Sequence, residues 1–204
     1  MNPDRMEPSL VHEKIETAVE LDQVDLIHLP WGEPQATDYN NGKIYQTEQT
    51  IRFKGMDILL KAKKTEIYKT DPSSYVFSLE KDTETIDGVI IIHYASTTST
   101  STEVYAHTSI IRNKEKGASL VIPNGAGVTL YKQMLSALQQ LANDKRIPIR
   151  HIVTRITDFR NDNPLSRDRW NETFMPILEN NDYQPVYPNH DSGMFTKTYQ
   201  PQIQ

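Results

Sequence analysis

Cysteine is absent from all 204 residues, which excludes disulfides, a thiolate nucleophile and cysteine-ligated zinc. The composition is compatible with a reducing compartment. The six histidines (His12, His28, His93, His107, His151, His190) show neither i, i+4 nor His-x-His spacing, so no metal is expected. A Gly-x-Ser-x-Gly nucleophile elbow is missing, as is the Gly-Lys-Ser/Thr ending of a P-loop. No apolar run approaches the length of a membrane span, and residues 1–8 lack the charged-then-apolar pattern of a signal peptide. The expectation is a soluble, cytoplasmic protein with no membrane partner, long enough to bury a core unaided.

The formal net charge is −5, which argues against non-specific nucleic-acid binding. Its distribution is uneven. Lys145, Arg146, Arg150, Arg155, Arg160, Arg167 and Arg169 face only Asp158, Asp162 and Asp168 in the same stretch. A local basic region on an acidic chain suits a small anionic ligand better than a long polyanion, although a solvated basic face would look the same.

Residues 9–29 read as a helix, broken by Pro30-Trp31-Gly32-Glu33-Pro34. Ile44 to Phe53 alternates as a strand or extended arm, and a short helix is expected from Met56 to Tyr68. We take residues 1–74 as an N-terminal helical and extended segment packed on a core of residues 75–204. In that core, strands are expected at Tyr75–Glu80, Gly88–Ala95 and Glu103–Arg112, the last pair antiparallel. The Ser/Thr run from Ser96 to Thr102 is an exposed loop. Ala118 to Ile122 is expected as a short strand and Ile147 to Thr157 as a longer one. A helix over Arg167–Asn180 would be kinked at Pro176, and a hairpin closes the chain.

The stretch Leu120-Val121-Ile122-Pro123-Asn124-Gly125-Ala126-Gly127-Val128-Thr129-Leu130 organises this pattern. An apolar run enters a glycine-bearing turn, and Leu130, Met134, Leu135, Leu138 and Leu141 then mark one face of a helix reaching about Asn143. Free N–H groups at the positive end of a helix suit an anion such as phosphate. The third glycine of a dinucleotide-binding loop is missing. Asn-Gly is also a plain turn signal, so a purely structural role stays open.

From Tyr75 to Tyr199 the element order resembles the GCN5-related N-acetyltransferase (GNAT) superfamily. Its Gln/Arg-x-x-Gly-x-Gly/Ala signature falls on Ile122-Pro123-Asn124-Gly125-Ala126-Gly127, with Ile122 in place of Gln or Arg. The resemblance implies an α+β fold, a mixed, mostly antiparallel central sheet flanked by helices. It implies acetyl-CoA or another acyl-CoA as cosubstrate and an amine of a small molecule or peptide as acceptor. The backbone of Gly125, Ala126, Gly127, Val128 and Thr129 would hold the pyrophosphate, and Leu120, Val121 and Ile122 the pantetheine and thioester. Glu103, His107 and Asp158 are the base candidates. The family's tyrosine acid aligns with Leu178, which leaves the general acid unassigned. The chain would act as a monomer or homodimer. The alternative is a catalytically silent ligand- or protein-binding domain of the same family, and an unrelated α/β domain is a third.

Overall fold

A computed structural model describes residues 18–37, 42–66, 73–96, 102–154, 172–187 and 193–202. They form one ten-stranded mixed sheet. In chain order its strands are β1 (Val19–Glu20), β2 (Gln35–Ala36), β3 (Lys43–Phe53), β4 (Met56–Glu66), β5 (Ser73–Lys81), β6 (Glu84–Ser96) and β7 (Thr102–Lys114), then β8 (Ile149–Thr154), β9 (Gln184–Pro185) and β10 (Met194–Tyr199). The order across the sheet is β1-β3-β4-β5-β6-β7-β8-β10-β9, with β2 also on β3. Two α-helices lie wholly within the described residues, α1 (Ala126–Lys145) and α2 (Met175–Glu179), and residues 172–173 are helical as well. No helix there is long and apolar enough to cross a membrane.

This overturns the expected GNAT-like sheet flanked by helices. The reason lies in two segments read as helices. Within residues 18–29 the chain makes β1, a 3-10 turn at Leu21–Gln23 and a run of bends. There the Asp25 carboxylate accepts the N–H groups of Ile27 (3.1 Å) and His28 (3.2 Å), diverting them from a helical ladder. Residues 9–17 lie outside the described residues.

The second segment, Met56–Glu66, is an eleven-residue strand paired antiparallel with β3 from Met56↔Phe53 to Glu66↔Lys43. Lys54 (φ 51°) and Gly55 (φ 76°) form the two-residue turn between them, the conformation a tight hairpin requires. Ile58, Leu60 and Ala62 are buried at every second position, a strand period rather than a helical one. The sheet therefore gains one long strand, β4, and the two-residue β1 where two helices were expected.

Other expectations shift locally. The strands expected at Tyr75–Glu80 and Gly88–Ala95 are joined by a two-residue turn at Asp82-Thr83, and the second of them, β6, starts at Glu84. Residues 118–122 are not a strand. Pro176 sits in the first turn of α2, where its missing N–H is harmless, and a turn at Phe174 separates α2 from the helical residues 172–173. Of the helix expected from Arg167, residues 167–171, with Arg155, Asp158 and loop residues 97–101, lie outside the described residues.

The core sits on one face of the sheet. Leu60, Leu79 and Ile86 align across β4, β5 and β6, followed by Ala62, Phe77 and Gly88. Helix α1 covers this face with Leu130, Met134, Leu135, Leu138 and Leu141, all 3% exposed or less. Each such side chain contributes about 1.5–3 kcal/mol by leaving water. Gly88 lets the helix close in, since a Cβ there would lie 2.6 Å from Met134 Sδ. At the far end Arg146 adopts a left-handed cap (φ 53°) and the Ile147 N–H returns to the Ala142 carbonyl at 3.2 Å. This closes the last turn in Schellman fashion.

Candidate functional site

The chain leaves β7, runs through residues 115–125 into α1, and returns as β8 parallel to β7. The parallel register covers Tyr105↔Arg150, Ala106↔His151 and His107↔Ile152 only. Beyond His107, β7 pairs with β6 alone as far as Lys114. Beyond Ile152, β8 pairs with β10 alone. The two strands thus form a fork with His107 at its apex. Crevices beyond the carboxyl ends of parallel strands, where the chain order switches, are recurrent ligand sites.

Helix α1 begins over this fork. A Cβ placed on Gly127 would meet Ile110 Cδ1 at 3.6 Å, and Ile110 is three residues, about 10 Å, past the apex. Gly125 caps the helix in the left-handed conformation (φ 97°), without a side-chain cap or an acidic residue in the first turn. The Ala126 N–H reaches the Pro123 carbonyl at 3.3 Å, and that of Thr129 the Gly125 carbonyl at 2.9 Å. The N–H groups of Gly127 and Val128 find no acceptor among the described residues. Lys54 Nζ, from the β3–β4 turn, donates to the Asn124 carbonyl at 2.8 Å. The helix start therefore offers free donors with a cation beside them. Next to Val128 a cavity of about 520 Å³ opens between α1 and α2, with Lys132, Leu135, Pro176 and Ile177 in its wall. A shallower hollow of about 460 Å³ on the opposite face, among Gln46, Lys61, Lys63, Val76 and Ser78, has no helix start.

Leu120, Val121 and Ile122 behave differently from one another. Leu120 is 53% exposed, whereas the Ile122 side chain is buried. The N–H groups of Val121 and Ile122 both donate to Glu84 Oε2, at 2.6 and 2.7 Å. Arg112 pairs with the same carboxylate and donates from Nη2 to the Ile122 carbonyl at 2.5 Å. Glu84 has no solvent exposure. Burial pushes its carboxyl up, but Arg112 and the Ile122 and Val121 N–H groups together hold it below the usual range. These bonds replace a strand ladder and fix the entry to α1. The open backbone at the fork is instead the edge of β7 past His107, which has no strand partner on that side among the described residues and which sequence reading did not mark.

Of the base candidates, His107 stands at the apex, on the face away from α1. Its ring lies edge-on to that of His93 at 5.4 Å. Burial, then the nearby His93, holds its pKa below the ordinary value, so the ring is neutral at pH 7 and able to accept a proton. Glu103 lies four residues back along β7, about 13 Å away, and accepts a hydrogen bond from the Tyr105 hydroxyl. The structure does not bring these two together. Leu178 is buried, as is Tyr183.

A buried polar chain also escaped the sequence reading. His151 Nε2 lies 3.0 Å from Thr108 Oγ1, and Nδ1 shares a hydrogen bond with the Tyr183 hydroxyl. The available signal was a histidine between Ile149 and Val153 on an inward-facing register, since a buried ring demands polar partners. No group of three or more metal-ligating side chains occurs among the described residues. No family model matches the chain, and no curated protein or solved structure does.

Proposed function

We propose that the fork binds an acyl-CoA and that the chain transfers its acyl group to an amine. The observation supporting this most is the parting of β7 and β8 after His107 beneath an uncapped helix start. The N–H groups of Gly127 and Val128, with Lys54 nearby, would take the pyrophosphate. The edge of β7 past His107 would take the pantetheine arm in place of Leu120, Val121 and Ile122. Acyl-CoA supplies a thioester carbonyl. The amine nitrogen forms the new C–N bond there, the C–S bond breaks, and the sulfur leaves as a thiolate that takes up a proton.

A lysine-like amine is neutral only about once in 2,500 molecules at pH 7, equivalent to roughly 4.6 kcal/mol. His107, as the neutral ring, is the group placed to accept the proton, and a general base supplies about 10²–10⁴-fold. Two assays test the reading. Calorimetric titration with acetyl-CoA should show saturable binding, and thiol release across an amine panel should show turnover. His107→Ala should lower kcat within that range while leaving CoA affinity unchanged.

The engagement of Val121 and Ile122 by Glu84 favours a second reading, a domain that binds the same ligand without transfer. Binding with no thiol release from any amine would select it.

A further inference from the structure

The inward side of the fork is tied by side chains that the chemistry above leaves unused. Thr108, the first residue of β7 beyond the apex, meets His151 on β8. His151 in turn meets Tyr183, whose hydroxyl oxygen lies 2.9 Å from that of Tyr199 on β10. Tyr131 of α1 also faces Thr108. His151 has no exposure, and the three tyrosines are each 5% exposed or less. One imidazole therefore ties the first residue of β7 beyond the apex to the paired base of the fork and to the C-terminal hairpin.

A neutral ring has one N–H and one lone pair, so it can donate at one nitrogen and accept at the other. The groups facing it hold no negative charge. From β7 come Thr108 and, through the strand, His107; from α1, Tyr131. The C-terminal hairpin contributes Tyr183 and Tyr199, with Lys197 Nζ 4.9 Å above the Tyr199 ring. No carboxylate among the described residues pairs with any of these.

We propose that His151 is an acid-sensitive latch, whose neutral ring holds β7 and β8 together at the base of the fork and whose protonation lets their parting extend past it. An added proton converts the accepting nitrogen to a donor and leaves a buried cation without a counter-charge. Burial and the neighbouring His107 hold the ring's pKa down to about 3 while the latch is shut. Once the parting extends past it, the ring regains its ordinary affinity for protons, so acid favours the parted state. This does not depend on what the fork binds.

The test uses the full chain, with histidine nitrogen NMR and amide hydrogen exchange between about pH 7.5 and about pH 4.5. His151 should keep a single neutral tautomer after the exposed His28 has titrated. Amides of residues 108–114 and 149–154 should exchange about tenfold faster at the acid end, after correction for intrinsic rates, while β3 to β5 change little. His151→Gln, which keeps a donor and an acceptor but cannot titrate, should abolish the acceleration. Equal acceleration in His151→Gln, or titration of His151 near its ordinary value with unchanged exchange, would overturn the proposal. Tyr183→Phe provides a second route: removing one link should speed exchange at the fork already at neutral pH, and unchanged exchange there counts against the latch.

Discussion

Glu84 shows how much of this fold depends on single side chains. It is fully buried and holds Arg112 and two backbone N–H groups. Glu84→Ala orphans all three, and removing one partner of a buried pair costs about 3–5 kcal/mol, to be read as a fall in the urea midpoint. Lys61→Ala cuts an ion pair with Glu80 at 2.6 Å whose partners are 47% and 31% exposed, and should leave the urea midpoint almost unchanged, because solvent screens so exposed a pair. His151 gives the pH dependence. Its folded-state pKa lies below the unfolded value of 6.5, so the unfolded chain binds more protons between the two. Stability is full above about pH 6.5 and falls as pH drops toward about 3, by up to roughly 5 kcal/mol. The depressed pKa of His107 acts in the same direction, and Glu84 adds its own loss at lower pH. Urea unfolding of the wild type and His151→Gln across this range should give a flatter profile for the variant.

Among the elements, α1 was legible and its approach was not. Leu130, Met134, Leu135, Leu138 and Leu141 repeat at helical spacing, and the structure buries all five. The chain from 118 to 122 is apolar enough to suggest a strand, but its N–H groups are claimed by Glu84, more than thirty residues earlier. No local pattern encodes such a long-range bond. Strand β4 misled for a different reason. Its leucines, alanine and lysines favour a helix by propensity, while Ile58, Leu60 and Ala62 alternate, and the Lys54-Gly55 turn was the better signal. The site divides likewise. The glycine turn was visible in sequence, whereas the fork depends on where two strands whose paired residues are 45 apart cease to pair. Gly125→Ala should cost about 1–2 kcal/mol, because φ of 97° disfavours any Cβ. The space around it is ordinary, with Lys54 Nζ 3.7 Å away, so thermal unfolding should register a backbone effect without a packing one.

At the scale of the molecule, the sheet ends are covered by two-residue strands. β1 and β2 lie on β3, and β9 lies on β10, short edges that discourage pairing with another chain. The segment carrying Leu21, Val24, Leu26, Ile27 and Leu29 is buried with α1 in one core, so the N-terminal part belongs to the same packed unit. Leu26→Ala should therefore destabilise the whole unit by about 2–5 kcal/mol in urea. This architecture frames one opening where a helix start lies above parting parallel strands, and the functional reading depends on it. Calorimetric titration of coenzyme A into wild type and Asn124→Asp tests that reading most directly. The substitution sets a carboxylate before α1, which should stabilise the helix by about 0.3–1 kcal/mol while repelling a pyrophosphate. The account predicts saturable binding to the wild type and affinity about tenfold weaker in the variant, roughly 1.4 kcal/mol, with no fall in melting temperature. Absence of binding to the wild type, or equal affinity in both proteins, would contradict it.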